Sequence, residues 1–142
     1  MGKGSASNQA VADTCPCGVG RTFAVCCGRY LDDGALPETA EALMRSRYTA
    51  YVLGREDYLF ASWHVSTRPA SLGLDAARRW LGLRVTHIEA GGPMDVEGWV
   101  SFVARSKRGG RADRLEERSH FVREDGRWYY VDGEIGSVPD RY

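Results

Sequence analysis

The sequence predicts an α+β domain in which helices come first and an antiparallel sheet follows. Between residues 37 and 81 the apolar residues recur at helical spacing, whereas from Leu83 onward they fall in short runs separated by turn residues. Helices followed by consecutive strands are typical of this class. All four cysteines precede this region and lie within thirteen positions, so we expect a small separate unit there.

The composition is that of a soluble globular protein, with 43% hydrophobic and 27% charged residues. Lys+Arg and Asp+Glu both number 19, so no net charge attracts nucleic acid or a membrane surface, and we expect neither as a partner. Residues 1–14 are small and polar, which predicts a disordered leader rather than a secretory signal. The expected compartment is therefore the cytoplasm.

The cysteines form two close pairs with eight residues between the pairs. This spacing lets four thiolates converge on one tetrahedral ion. We therefore predict one structural zinc ion per chain, ligated by Cys15, Cys17, Cys26 and Cys27.

The residues around the cysteines favour the same site. Gly18 and Gly28 allow the backbone to fold back towards the sulfurs. Arg21 and Arg29 are placed to offset the double negative charge of a zinc–thiolate centre.

Other interpretations of the cysteines fit less well. A reducing compartment disfavours disulfides, and a bridge between the adjacent Cys26 and Cys27 would be strained. A redox dithiol usually has two residues between its cysteines, and iron–sulfur clusters generally use a different spacing. Catalytic zinc needs an open coordination position, which four protein sulfurs do not leave.

The first long helix is predicted to begin at Pro37 and to run to Leu53, with Gly54 ending it. A second, short helix is predicted over Glu56–Ser62 and a third over Asp75–Leu81. The apolar stripe of the first helix, which we expect to face the core, consists of Ala40, Leu43, Met44, Tyr48 and Tyr51.

Arg47 interrupts this stripe, since it lies four residues from both Leu43 and Tyr51. Its guanidinium must point towards the interior or its mouth. A buried arginine needs an acidic partner, so we expect a carboxylate on a facing surface.

Four strands are predicted over Leu83–Glu89, Val96–Arg105, Ala112–Arg123 and Arg127–Gly133, and Asp125-Gly126 is a strong two-residue hairpin signal. This turn would place Phe121 opposite Tyr130 and Ser119 opposite Asp132. Of the four tryptophans, all but Trp63 are expected in the core: Trp80, Trp99 and Trp128.

The inner face of this hairpin contains two carboxylates, Glu117 and Asp132, as candidate partners for Arg47. We predict a polar cluster at the mouth of an aromatic concavity. One interpretation is a buried ion pair that fixes a helix on the sheet, and the other is a ligand pocket or acid–base site. The predicted pocket residues are Arg47, Tyr51, His64, Arg68, Glu117, Tyr130 and Asp132.

Several of these motifs together resemble known families. The segment from Cys15 to Gly28 resembles the SEC-C motif, a zinc-binding unit also found at the end of a bacterial preprotein translocase ATPase, where it is a docking module. With Met44–Tyr51, Trp63–Pro69 and the last hairpin, the chain resembles the bacterial YchJ family. That family has no established activity to carry over.

This resemblance implies a nuclear-transport-factor-2-like cone, in which three helices pack on a curved antiparallel sheet around a cavity. The implied organisation is a leader (1–14), a SEC-C zinc motif (15–30) and a cone domain (37–138). The fold alone does not choose a function, because its relatives include both enzymes and binders.

Two functions follow. The first is a cytoplasmic zinc-containing binding or adaptor protein, with a protein partner at the zinc motif, a small molecule or peptide in the pocket, and a homodimer left open. The second is a small isomerase, dehydratase or hydrolase with Asp132 or Glu117 as base and His64 or Tyr130 as proton donor. A large cavity beside an unpaired carboxylate would favour the enzyme.

Overall fold

Helices precede the sheet, as the sequence predicts. The structure is a computed structural model that describes residues 14–135. A 3₁₀ turn, Phe23–Val25, comes before three helices and four strands. The bounds of these elements are Gly28–Leu31 (α1), Ala40–Leu53 (α2), Glu56–Ala61 (α3), Arg78–Ala90 (β1), Glu97–Arg108 (β2), Arg111–Glu124 (β3) and Arg127–Ile135 (β4). The predicted α+β class is confirmed.

The predicted leader, residues 1–14, lies outside the described residues except for Thr14, which forms an isolated bridge with Thr22. Residues 136–138 of the predicted cone domain lie outside them as well. Within 14–135, no helix combines the length and apolar character that crossing a bilayer requires.

The four strands form one antiparallel sheet in sequence order, β1-β2-β3-β4. Asp125 and Gly126 make the last turn, as predicted, and both have positive φ angles, 52° and 78°. Next to this turn the predicted register is confirmed, since Phe121 lies opposite Tyr130.

The register changes towards the end of β4. Ser119 lies opposite Gly133 rather than opposite the predicted Asp132, which instead lies opposite His120. Val131 is the extra residue of a β-bulge. Because neighbouring side chains alternate between faces, the bulge turns Asp132 to the outer face of the sheet and brings Gly133 to the inner face.

Helix α2 begins later than predicted and ends where predicted. The Thr39 side chain accepts a hydrogen bond from the Ala42 amide (3.0 Å), so the helix begins at Ala40 rather than at Pro37. This hydroxyl cap satisfies a first-turn amide that has no partner within the helix. At the other end Gly54 is left-handed, with φ 71°, and stops the helix.

The helix predicted over Asp75–Leu81 is wrong, because the chain from Arg78 onward belongs to β1. Its backbone pairs with β2, where Arg78 lies opposite Arg108. The Asp75 side chain accepts a hydrogen bond from the Ala77 amide (2.9 Å) in the preceding turn. Helix propensity in this stretch is a weak preference, and pairing with a neighbouring strand outweighs it.

Helix α2 covers the inner face of the sheet. Trp128 is 1% exposed, which confirms it as a core residue. Trp99, by contrast, is not in the core: it lies on the outer face, where its ring stacks on His120 with 5.0 Å between ring centres. The buried core consists of Ala40, Leu43, Met44, Tyr48, Val100, Phe102, Ala104, Phe121 and Trp128.

Candidate functional site

The four cysteine sulfurs come together in front of α2, as predicted. Their Sγ atoms all lie within 4.8 Å of one another, and those of Cys17 and Cys26 are 3.6 Å apart. Each cysteine is at most 6% exposed, and none forms a disulfide. We call residues 15–30 the cysteine motif.

Backbone turns within the cysteine motif bring the two pairs together. The Cys15 amide donates to the Arg21 carbonyl (2.9 Å), which folds the intervening loop back on the first pair. At Gly28 a Cβ atom would lie 2.7 Å from the Phe23 carbonyl oxygen, so only glycine allows this close approach.

The four sulfurs fit a single tetrahedral metal ion. A zinc ion about 2.3 Å from each of four sulfurs would place the sulfurs about 3.8 Å from one another. The 3.6 Å between Cys17 Sγ and Cys26 Sγ, with all pairs within 4.8 Å, suits such an ion. Four sulfur donors leave no open position for a substrate, so the donor set fits a structural ion.

The sulfurs cannot all be thiolates without a cation. Hydrogen bonds with Cys17 and Cys27 hold the pKa of Cys15 well below its ordinary value. The hydrogen bond with Cys15 raises the pKa of Cys17 to about 11, and hydrogen bonds with Cys15 and Cys17 together with burial raise the pKa of Cys27. A bound divalent ion would stabilise the remaining thiolates and release their protons.

Two residues of α2 that the sequence reasoning missed hold the cysteine motif. The Thr49 hydroxyl is buried, donates to Cys27 Sγ (3.3 Å) and lies 3.7 Å from Cys15 Sγ. The Arg45 guanidinium donates to the Cys17 carbonyl (2.7 Å). Their spacing of four residues puts them on one helix face, but nothing in the sequence indicates that this face meets the cysteine motif.

The two arginines predicted to offset the thiolate charge make other contacts. Arg29 Nε donates to the Cys26 carbonyl (2.9 Å), and its guanidinium lies over the Tyr30 ring. Arg21 is exposed. Neither donates a hydrogen bond to a sulfur within the described part of the chain.

An apolar cavity of about 280 Å³ lies between α2 and the inner face of the sheet. Four residues of the predicted pocket line it: Arg47, Tyr51, Glu117 and Tyr130. The rest of the wall is mostly aromatic and aliphatic and consists of Met44, Tyr48, Trp80, Phe102, Ala104, Leu115, Ser119 and Phe121.

Arg47 is buried beside this cavity, with 6% of its surface exposed. Its Nη1 donates to the Leu59 carbonyl (2.9 Å) and to the Ser62 hydroxyl (2.7 Å). Burial lowers the pKa of Arg47, yet a guanidinium remains protonated at neutral pH. The charge is therefore held inside the fold.

Arg47 lacks the ion pair predicted for it. Among residues 14–135 no carboxylate lies within 4.0 Å of its guanidinium. Instead its central carbon lies 4.8 Å from the Trp63 ring centre and 4.5 Å from that of Tyr130. Two aromatic faces thus take the place of the expected carboxylate. The Trp63 Nε1 is also buried and has no hydrogen-bond partner in this part of the chain.

Glu117 is bound by hydroxyl groups rather than by arginine. Its Oε2 accepts hydrogen bonds from the hydroxyls of Ser119 (2.9 Å) and Tyr130 (3.4 Å). Gly133 leaves space for the carboxylate, because a Cβ there would clash with it. Burial, with the charge of Glu117, raises the pKa of Tyr130, and burial also raises the pKa of Tyr51. Both phenols are protonated at neutral pH.

Three predicted pocket residues do not line the cavity. His64 Nε2 donates to Glu124 (2.9 Å), so the ring belongs to a hydrogen-bonded loop. Arg68 donates to the Trp63 carbonyl from Nη2 (3.0 Å) and Nε (3.2 Å), which closes the same loop. Asp132 is turned outward by the β4 bulge, and its side chain is 69% exposed.

Two family models match the chain. The model described as "YchJ, middle NTF2-like domain" matches residues 39–133, and the SEC-C motif model matches residues 12–29. The first match contains the cavity, and the second contains all four cysteines.

Curated relatives match nearly the whole chain. A UPF0225 protein of Chromobacterium violaceum is 57% identical over 133 residues, covering 91% of this chain and 98% of the relative. A UPF0225 protein of Cupriavidus pinatubonensis is 52% identical over 134 residues, covering 89% of this chain and 92% of the relative.

Two solved structures share the fold. The solution structure of a SEC-C motif containing protein from Rhodopseudomonas palustris has a TM-score of 0.75 and 36% identity, and the match covers 87% of this chain and 98% of that one. The crystal structure of a SEC-C motif containing protein from Psychrobacter arcticus has a TM-score of 0.72 and 24% identity, with 92% and 87% covered. The second likeness supports the fold alone.

Proposed function

We propose that this chain, which belongs to the YchJ-like UPF0225 family with a SEC-C motif and an NTF2-like domain, is a zinc-containing binding protein. The observation that carries the proposal is the convergence of four buried sulfurs within 4.8 Å. Tetrahedral four-sulfur sites hold zinc or iron. A polynuclear iron–sulfur cluster would hold its cysteines further apart, so the geometry supports a single ion, which we propose to be a structural zinc.

The cysteine motif is the proposed docking surface for a protein partner. Val19 and Val25 are 44% and 56% exposed on it, beside the exposed Arg21 and Arg29. Exposed apolar residues next to positive charges suit a partner segment that carries apolar and acidic side chains. We place the protein in the cytoplasm, where four free thiols remain available for zinc.

The cavity is the proposed binding site for a small molecule or a peptide segment. Its apolar wall with a few polar groups is typical of ligand sites. Of the residues named for acid–base chemistry, Asp132 and His64 lie away from it. The raised pKa of Tyr130 makes this phenol a weak acid at neutral pH. These points support binding over catalysis.

One observation favours the enzyme as a second candidate. Glu117 borders the cavity and is not paired with an arginine among the described residues, so it is the candidate base that the geometry leaves. If the protein is an enzyme with Glu117 as its base, the Glu117→Gln variant should lose activity while it still binds the ligand.

Native mass spectrometry of the untagged full chain from zinc-replete cells tests the proposed function. We expect one zinc ion per chain, together with the subunit number and any retained small molecule. Cys26→Ser should retain much less zinc than the wild type, because one of the four sulfur donors is lost. Val25→Ser is the matched control: its side chain is adjacent in sequence and exposed, so the ion should stay. Finding iron, or no metal in the wild-type chain, would contradict the proposal.

A further inference from the structure

The Arg47 guanidinium is a buried cation without a carboxylate partner in the described part of the chain. Only Nη1 donates hydrogen bonds there, to Leu59 and Ser62. A buried charge is stabilised when it is paired and hydrogen-bonded, and a carbonyl, a hydroxyl and two aromatic faces supply no opposite charge. Among residues 14–135, no anion therefore contacts the guanidinium directly, although the charge of Glu117 acts on it across the cavity.

The free donors of Arg47 reach the cavity. Among residues 14–135, its Nε and Nη2 make no well-aligned hydrogen bond. Arg47 lines the cavity, so these two nitrogens are the donors that it can offer to a ligand there. The Tyr51 phenol is close enough to interact with the guanidinium, but it is neutral and supplies no opposite charge.

Glu117 does not neutralise Arg47 directly. Its carboxylate is more than 4.0 Å from the guanidinium and accepts hydrogen bonds from Ser119 and Tyr130 instead. The cavity thus presents a cation with free donors and, separately, a carboxylate whose Oε2 accepts two hydrogen bonds. An anionic group of a ligand would find its partner at Arg47 and should stay away from Glu117.

The size of the cavity limits the ligand. At about 280 Å³ it lies just below the range of roughly 300–1,000 Å³ typical of drug-sized ligands. Since a water molecule takes about 30 Å³ in the liquid, the space holds roughly ten non-hydrogen atoms. The surrounding aromatic rings favour an apolar or aromatic body.

We propose that the cavity binds a small apolar carboxylate, with the carboxylate paired to Nε and Nη2 of Arg47 and the apolar body against the aromatic wall. This inference rests on the proposed binding function of the cavity. It adds the charge and the orientation of the ligand. A planar carboxylate suits the two adjacent donors of a guanidinium.

Three probes of the same shape and different charge test the inference: 3-phenylpropanoate, 3-phenylpropan-1-ol and 3-phenylpropylamine. Each is titrated into the zinc-loaded full chain carrying ¹³C-methyl methionine. Met44 lines the cavity, whereas Met94 is 90% exposed and serves as the internal control. We expect the carboxylate to shift the Met44 signal with an affinity at least about tenfold higher than the alcohol, and the amine to bind most weakly.

Two variants identify the residue responsible. Arg47→Met should remove the preference for the carboxylate over the alcohol. Because this change also removes the hydrogen bonds to Leu59 and Ser62, Glu117→Gln is the second variant, and loss of its negative charge should strengthen carboxylate binding a few-fold.

The outcomes separate the two proposals. The proposed preference for a carboxylate is overturned if the alcohol or the amine binds in the cavity as tightly as the carboxylate. It is also overturned if Glu117→Gln leaves the affinity for the carboxylate unchanged. In both cases the proposal that the cavity binds a ligand stands. If no probe moves the Met44 signal, both the carboxylate assignment and the proposed cavity function are contradicted.

Discussion

Thr49 and Arg47 lie two positions apart on α2 and serve different sites. Residues with this spacing point about 200° apart around a helix, so Thr49 contacts the cysteine sulfurs while Arg47 lines the cavity. Arg47 could be predicted because a charge interrupts an apolar stripe. Thr49 could not, because a threonine beside apolar residues is common and its contact depends on how the cysteine motif packs. Its partner, Cys27, was predictable from spacing alone.

Replacing Thr49 by valine removes the hydroxyl without changing the volume of the side chain much. We expect zinc affinity to fall about 10- to 100-fold, because the hydrogen bond to Cys27 Sγ stabilises a ligating thiolate. Competition with a chromogenic chelator measures the affinity. Thr49→Ser keeps the hydroxyl and should retain most of the affinity. Equal affinities for the valine and serine variants would show that the hydroxyl contributes nothing to metal binding.

At the scale of elements, the strands and the last hairpin could be predicted from alternation and from Asp125-Gly126, but the bulge at Val131 could not. A bulge depends on local twist and on space next to the neighbouring strand, neither of which leaves a fixed pattern in the sequence. Its effect on the site is large, since it exchanges Asp132 for Gly133 on the inner face. The helix expected at Asp75–Leu81 failed for a related reason, because pairing with β2 involves residues distant in sequence.

The junction of α2 with the β1–β2 turn depends on a close backbone approach. The Ala40 amide donates to the Gly91 carbonyl (2.9 Å), and a Cβ at Gly98 would lie 2.7 Å from the Gly91 nitrogen. Because backbone atoms cannot move aside cheaply, we expect Gly98→Ala to lower the free energy of unfolding by about 2–3 kcal/mol. Urea denaturation measures this change.

Gly92→Ala is the control for that substitution. It lies in the same turn, and the Cβ would meet only the Asp95 carboxylate at 3.4 Å, so stability should change little. Equal stability of the two variants would contradict the close-approach argument.

At the scale of the whole molecule, the cysteine motif and the cone domain pack against each other through α2. The motif has little core of its own: Phe23 and Leu31 are the partly buried apolar residues packed on its cysteines. A unit this small needs a metal or a neighbour for stability. Arg45 joins it to α2 through the Cys17 carbonyl. The sequence indicated two units, the cysteine motif and the domain that follows it, but their packing depends on contacts across the chain that no local pattern reveals.

Removal of zinc therefore tests whether the two units unfold together. A metal ion that binds only the folded state stabilises the part of the protein that unfolds when the ion is released. This stabilisation is about 4 kcal/mol when the free metal concentration is 1,000 times its dissociation constant. Because Thr49 and Arg45 connect the metal ligands to the helix that covers the core, we expect a single calorimetric transition whose midpoint falls by about 10 °C on adding chelator. Chelator saturated with zinc beforehand is the control and should leave the midpoint unchanged. Two transitions, the upper one insensitive to chelator, would mean that the cone domain is stable without the cysteine motif and that α2 does not couple them.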